Sequence, residues 1–383
     1  MKAAVFHNPK DIRVEMVPDP KIEHVRDAII RVTAASICGS DLHIYNGYIP
    51  QQKPLVLGHE FMGVVEEVGP RVKNLKKGDR VVVPFCIACG QCWFCKAGLE
   101  PHCEQTNPKH YGPEGDESEK GGGLFGYTDL YGAYSGGQAE YVRVPYADYG
   151  PRKVPDDMSD ERALFLGDII PTGWTAVDWC GLKGGETVAV FGCGPVGLMA
   201  QKAAWLHGAK QIIAVDILQY RLSLAERITG SITVDASRTD VVRGIRAFTD
   251  GRGVDACIDA VGLEAKHDWT ESLRNVVTRE AGTTKILRAS LGAVRRGGSV
   301  CAIGVYGTET SFPMGQFFDK GITLRAGQSL VHRHIDSLLW LVQAGKMTAD
   351  DIVTHRMPLD EAAEAYRIFN SKEDGCVKVV LKP

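Results

Sequence analysis

The sequence predicts a chain of mixed class, α/β and β: an irregular β-barrel, then a doubly wound parallel sheet, then a final segment that returns to the barrel. Three observations carry this. From Ala28 to Ala35 and from Phe61 to Val68, β-branched residues alternate or run together between Gly, Pro and charged punctuation, the pattern of short strands. From Glu186 onward, apolar runs (Thr187 to Phe191, Gln211 to Val215, Ala256 to Asp259, Ser299 to Ile303) alternate with helical stretches, which implies a parallel sheet covered by helices on both faces. The strand-like Val377 to Leu381 follows a segment in which that alternation has faded, so it is expected to pair back in the first domain.

Within the β-rich part, Gly69, Pro70, Lys76, Lys77, Gly78 and Asp79 bracket a turn before the strand Arg80 to Val83. Helix-forming sequence begins near Asp157, and the β/α regularity fades after about Gly315. The expected domains are therefore 1–168, 169–313 and the return segment 314–383. Residues 104–137, rich in Gly, Tyr and charge without a clear period, read as a long loop, the kind that is usually functional. Its part from Lys120 to Gly137 is a candidate lid or subunit contact. The strand-like Ser299 to Val305 is expected at a sheet edge.

With 383 residues the chain exceeds the roughly 300 at which single cores stop growing. Hydrophobic content of 44%, charged content of 24% and a net charge of −3 describe an ordinary globular protein with no basic face to gather nucleic acid. No run approaches the ~18 apolar residues of a membrane span, and Met1 to Phe6 offers no signal-peptide pattern. Eleven cysteines are too dilute for a disulfide scaffold, and five of them fall between Cys86 and Cys103. Metal in a reducing compartment is the expectation, hence a cytoplasmic location.

Cys89, Cys92 and Cys95 recur every three residues and Cys103 follows eight later. Four thiolates so disposed can wrap one tetrahedral zinc with no open position, which makes the site structural. Cys86 lies in the same register, but a fifth thiolate is not needed, and it is read as a buried or free thiol.

Upstream lie Cys38-Gly39-Ser40-Asp41-Leu42-His43 and Gly58-His59-Glu60, both at ends of strand-like segments, where loops carry function. Asp168 stands before Ile169-Ile170-Pro171-Thr172-Gly173. Cys38, His59 and Asp168 would give zinc three protein ligands and leave a fourth position for substrate or water. Spacing alone does not bring Asp168 to Cys38, and single Cys and His residues are more often core or surface.

The strand Thr187 to Phe191 runs into Gly192-Cys193-Gly194-Pro195-Val196-Gly197, then a helical stretch, the strand Gln211 to Val215 and Asp216, 19 residues after the last glycine. This is the complete Rossmann fingerprint: glycines for close approach of backbone to a pyrophosphate at a helix N-terminus, and an acid for the ribose. Asp216 would repel a 2′-phosphate and Ile217-Leu218 offers no cation for one, so NAD is expected over NADP, with Arg221 near enough in sequence to reach that corner.

Cys38-Gly39-Ser40-Asp41-x-His43, then Gly58-His59-Glu60-x-x-Gly63-x-Val65-x-x-Val68-Gly69, the four-cysteine knuckle and the Rossmann fingerprint together resemble the zinc-containing medium-chain dehydrogenase/reductase superfamily over essentially the whole chain. The first domain would then be a GroES-like barrel. The common third ligand of that superfamily is a cysteine four residues before a Thr-Gly pair; here Asp168 stands four before Thr172. That departure is shared by the glutathione-independent formaldehyde dehydrogenase branch, which the chain also resembles at Val83-Pro84-Phe85, Gly136 to Val142 and Asp259-Ala260-Val261-Gly262. A carboxylate in place of a thiolate is a harder ligand and would leave a more Lewis-acidic zinc.

The resemblance implies roles residue by residue. Asp41 would accept the second ring N–H of His59, and Glu60 would lie near the metal. Ser40 would start a proton relay that His43, titrating near neutrality, ends. Thr172 would contact the nicotinamide and Lys378 would reach the pyrophosphate. Two zinc ions per subunit and NAD are the implied cofactors, a small primary alcohol or hydrated aldehyde such as that of formaldehyde the implied substrate, and a homo-oligomer, dimer or tetramer, the implied assembly. The alternatives are a polyol dehydrogenase of the sorbitol or threonine type, a zinc-independent quinone or enoyl reductase of the same superfamily, and a non-catalytic NAD-binding redox sensor.

Overall fold

The computed structural model describes every residue except 52–53, 108–120, 263–283 and 307–311. The middle of the long loop expected over 104–137 therefore lies outside the described residues. Two compact units emerge: Met1–Pro171 together with Leu330–Pro383, and Thr172–Ser329.

The first unit is β-rich. A seven-stranded sheet runs in the order His355–Pro358, Val379–Lys382, Ala28–Ile37, Glu60–Val68, Arg80–Val83, Arg152–Lys153, with Tyr141–Val144 also pairing Ala28–Ile37. A smaller sheet pairs Lys2–Asn8 with Asp11–Met16 and with Leu55–Val56. Ala28, Ile30, Phe61, Val65, Val81, Phe125 and Val142, all at 0–1% exposure, fill the barrel, as the alternation in those strands requires. The C-terminal strand pairs antiparallel with Ala28–Ile37, Val379 opposite Ile37, so the chain does return to the first domain.

The second unit is a six-stranded sheet, every pair parallel, in the order Ile232–Asp235, Gln211–Asp216, Thr187–Phe191, Val254–Asp259, Val294–Ala302, Thr323–Ala326. This is the doubly wound order that reverses beside the first strand, where such sheets open a crevice at their carboxyl edge. Thr187–Phe191 is buried throughout, as a central strand covered on both faces must be.

Two expectations change. The strand around Ser299 is interior, flanked by Val254–Asp259 and Thr323–Ala326, so the edge belongs to Thr323–Ala326. That sixth strand, short and weakly patterned, belongs to the parallel sheet, and the second unit accordingly runs past 313 to Ser329.

Candidate active site

Cys38 follows strand Ala28–Ile37 and caps helix Gly39–Tyr45. Its N–H donates to Asp41 Oδ2 at 2.9 Å, fixing the helix's first turn. Antiparallel register sets Ser36 opposite Glu60, which brings His59 level with Ile37, one residue from Cys38. Asp168 arrives from a third segment, after the 3-10 turn Phe165–Gly167. Phe85 donates its N–H to Gly167 O at 3.0 Å, and a Cβ on Gly167 would stand 2.6 Å from Val83 O. Only glycine lets that turn lie against the strand and deliver Asp168.

The three segments converge. Asp168 Oδ2 is 3.2 Å from His59 Nε2 and 3.5 Å from Cys38 Sγ. With a Glu60 oxygen, the four donor atoms lie within 4.8 Å of one another, and all four residues are buried. His59 Nδ1 sits 3.0 Å from Asp41 Oδ1, so Nε2 is the ring nitrogen turned to Cys38 and Asp168. Asp41 is held in turn by Gln138, whose Nε2 donates to Asp41 Oδ2 at 3.4 Å while its Oε1 accepts from Tyr366 Oη at 2.8 Å.

The donor set fits a divalent cation. Ionised Cys38, Asp168, Glu60 and Asp41 would oppose a single lysine, and buried charge of one sign is costly unless compensated. Without a metal, burial and then the charges of Asp168 and Glu60 push the Cys38 thiol up to about 11. Burial would lower the pKa of His59, but the charge of Asp41 and bonds to Asp168 and Asp41 more than reverse this and leave it well above its ordinary value. A thiolate, an imidazole and a carboxylate are ligand types that zinc takes.

Two residues, Lys378 and His43, stand differently from the reading above, and Ser40 lies within the cluster. Lys378 is wholly buried: its Nζ lies 2.7 Å from Glu60 and donates to Ile37 O at 2.9 Å, so its ammonium is engaged there and does not reach for a pyrophosphate. Burial lowers His43 to about 4 against the raising charge of Asp41, so it is neutral near pH 7 rather than titrating there. Ser40 Oγ lies 3.1 Å from His59 Nε2, at the heart of the donor cluster. The walls are aromatic, Phe85 and Tyr127 facing the His59 ring with centroids at 6.1 and 6.2 Å. Tyr127, Gln138 and Tyr366 had no individual signal in the sequence, because each acts through a contact far along the chain.

Cys89, Cys92, Cys95 and Cys103 form the second cluster, their sulfurs within 4.8 Å of one another. The Cys89–Cys95 and Cys92–Cys103 separations are both 3.9 Å, and a tetrahedron with metal–sulfur bonds of about 2.3 Å has edges of about 3.8 Å. N–H groups of Gln91 and Cys92 point at Cys89 Sγ, that of Cys95 at Cys92 Sγ and that of Cys89 at Cys103 Sγ, an arrangement that stabilises thiolates. Cys86 stands apart as a buried thiol, 3.5 Å from His332 Nδ1.

In the second unit, Gly192 has φ +94°, Gly194 precedes helix Pro195–Leu206, and Val196 follows in the first turn. A Cβ on Gly197 would fall 1.8 Å from Gly192 O, so helix and turn pack at a distance only glycine permits. Asp216 ends its strand and accepts N–H bonds from Cys193, Ile217 and Leu218 at 2.7, 2.7 and 3.0 Å. Arg221 reaches the same corner: its Nη1 lies 3.4 Å from where a Cβ of Gly194 would be. Thr172 is buried on helix Ile169–Cys180.

Known proteins resemble the chain in both units. Residues 24–156 match the alcohol dehydrogenase GroES-like domain and residues 195–276 the zinc-binding dehydrogenase family. An uncharacterized zinc-type alcohol dehydrogenase-like protein of Bacillus subtilis is 45% identical, covering 100% of both chains. The glutathione-independent formaldehyde dehydrogenase of Pseudomonas aeruginosa is 33% identical, covering 97% of this chain and 95% of its own. Among solved structures, the alcohol dehydrogenase TADH from Thermus sp. ATN1 superposes with a TM-score of 0.86 at 38% identity, covering 100% of this chain and 99% of that one. Fold, donor clusters and relatives agree, and the chain belongs to the zinc-containing medium-chain dehydrogenase/reductase superfamily of alcohol dehydrogenases, as an enzyme.

Proposed function

We propose that this enzyme oxidises a small primary alcohol or a hydrated aldehyde, formaldehyde hydrate included, with NAD as acceptor and two zinc ions per subunit. The observation that carries the reading is the convergence of Cys38, His59 and Asp168 on one another from three distant segments. Those three residues would hold the catalytic zinc, and Cys89, Cys92, Cys95 and Cys103 the structural one. Zinc supplies Lewis acidity that favours negative charge on the substrate oxygen, and NAD supplies the hydride acceptor.

The chain's own residues do the rest. Asp41 fixes the His59 ring, and Gln138 and Tyr366 fix Asp41. Lys378 neutralises Glu60 and keeps it beside the donor set. The Ser40 hydroxyl, placed at His59 Nε2, takes the substrate proton onward, and neutral His43 offers an acceptor for it rather than a store. Asp216 favours a free ribose 2′-hydroxyl over a phosphate, and Thr172 lines the nicotinamide. A cytoplasmic homo-oligomer completes the proposal.

The test is zinc content per subunit together with NAD reduction by formaldehyde and a panel of primary alcohols, for wild type and Asp168→Ala. Two zincs falling to about one, with turnover lost, supports the ligand set. One zinc in the wild type, or turnover indifferent to Asp168, overturns it.

A further inference from the structure

At the carboxyl end of the parallel sheet, the strand order reverses between Thr187–Phe191 and Val254–Asp259, whose last paired residues are Phe191 and Asp259. A dinucleotide lies across such a reversal, with one mononucleotide on each half of the sheet. The glycine turn after Phe191 and the acid Asp216 belong to one half, and Asp259 ends the first strand of the other. The run Asp259-Ala260-Val261-Gly262 then lies against the glycine turn. A Cβ on Gly192 would stand 2.8 Å from Val261 Cγ2, and one on Gly197 would stand 3.6 Å from Ala260 Cβ.

Asp259 is 0% exposed, and no cation faces its carboxyl group among the described residues. Its Oδ1 accepts the N–H groups of Val261 and Gly262, both at 3.0 Å, and its Oδ2 accepts the Tyr306 hydroxyl at 2.5 Å. Its main-chain oxygen accepts from Ile303 and Gly304 at 3.0 and 2.9 Å. The ladder with Val294–Ala302 stops at Asp259 opposite Ala302. The side chain therefore orders what lies beyond the sheet, reaching Gly262 past one strand and Tyr306 past the other. The two loops meet with no side chain between them: Gly262, at φ +60°, would place a Cβ 2.5 Å from Val305 N, and Gly304 would place one 2.3 Å from Gly262 N.

A carboxyl group sunk in the protein away from any cation is costly. Closing the end of a sheet does not require one, since main-chain bonds and apolar contacts suffice. Burial raises the Asp259 pKa, and the Tyr306 hydroxyl and the two N–H groups act against the rise. Burial and then the Asp259 charge keep Tyr306 a neutral donor. Buried titratable groups with specific partners gather at sites whose geometry is used.

We infer that Asp259 and Tyr306 are positioning residues of the coenzyme site: their hydrogen bond holds loops 260–262 and 303–306 together as the floor that seats the nicotinamide half of NAD. The inference rests on the dehydrogenase reading and adds to it two residues that act through the loops they fix.

The experiment titrates zinc-loaded wild type, Tyr306→Phe and Asp259→Asn by calorimetry with NADH and with ADP-ribose, which keeps the adenosine and pyrophosphate but lacks the nicotinamide. NAD reduction by alcohols and hydrated aldehydes is measured on the wild type alongside. Tyr306→Phe should weaken NADH about tenfold, the scale of one lost hydrogen bond to a charged group, and move ADP-ribose by less than about twofold. Asp259→Asn, which keeps an oxygen acceptor for the N–H groups, should shift NADH in the same direction and carries the comparison if Tyr306→Phe does not fold. Equal losses for the two ligands would mean that the pair holds the whole unit together, and unchanged NADH affinity would mean that the loops need no fastening; either result overturns the inference and leaves the dehydrogenase reading standing. A loss specific to NADH, in a protein whose wild type reduces NAD with no alcohol or hydrated aldehyde, supports the positioning role and overturns the dehydrogenase reading. A wild type that binds neither ligand overturns both.

Discussion

Lys378 Nζ lies 2.7 Å from the Glu60 carboxylate, and neither side chain has any exposed surface. Lys378 immediately precedes the last strand, Val379–Lys382, and Glu60 adjoins His59, so the pair ties the C-terminal return to the candidate metal site. Burial raises Glu60, while the ammonium charge and hydrogen bond act against it. Removing the lysine leaves the Glu60 carboxylate buried beside Asp168 without the ammonium that faces it. Lys378→Met is therefore expected to cost about 3–5 kcal/mol in urea unfolding. The double variant Glu60→Gln, Lys378→Met should recover part of the loss. Equal stability of the single variant and wild type would mean that the pair is not compensating buried charge.

The knuckle makes a separable prediction. Cys103→Ser should lower zinc content by about one ion per subunit and expose residues 89–103 to proteolysis. Cys86→Ser should keep both ions, since Cys86 faces His332 rather than the four sulfurs. Metal analysis of the two variants decides, and loss of an ion in Cys86→Ser would reassign the ligand set.

In the coenzyme unit, Gly197→Ala puts a methyl group 1.8 Å from Gly192 O. The helix must move off the turn that presents its N–H groups, so NADH affinity, read by fluorescence titration, should fall about tenfold or more. Unchanged affinity would show that the turn adapts at no cost. Asp216→Ala should shift the ratio of NAD to NADP affinity toward NADP, since Arg221 already stands at that corner. The ratio of the two Kd values checks it.

How legible was this in the sequence? The knuckle and the glycine fingerprint are local, with every member within 15 residues or one β/α unit, so spacing alone specifies them. The Cys38, His59, Asp168 set is not local: Asp168 Oδ2 meets Cys38 Sγ across 130 positions, and only the antiparallel register and the Gly167 contact bring them together. Lys378 misled for the same reason. A C-terminal lysine near a coenzyme-binding chain reads as an anion ligand until the strand pairing of Val379 with Ile37 puts it beside Glu60. His43 misled through burial, which spacing does not report: it lowers the imidazole to about 4. The edge strand was missed because Thr323–Ala326 is four residues long and mostly exposed, so it lacks the apolar run of an interior strand.

The last prediction concerns acid stability in the second unit, away from any metal. Asp255, second residue of the central strand Val254–Asp259, accepts Arg295 Nε–H at 2.6 Å and Thr187 N–H at 2.9 Å. Burial would raise its carboxyl, but the Arg295 hydrogen bond, the Thr187 N–H and the charges of Arg295 and Arg252 outweigh it and hold the pKa below the ordinary value. A carboxyl whose folded pKa is depressed contributes stability above its unfolded pKa and loses it as pH falls through the folded value. The partly exposed pair should therefore be worth about 1 kcal/mol near pH 7. That contribution should begin to fade below about pH 4, the ordinary Asp range. In Arg295→Met the pH 7 stability should drop by about that amount, and the gap from wild type should close as the pH is lowered toward 3. Urea unfolding at a series of pH values measures the gap directly, and a gap that stays constant or widens on acidification would assign Asp255's depressed pKa to the Thr187 N–H instead of the arginine.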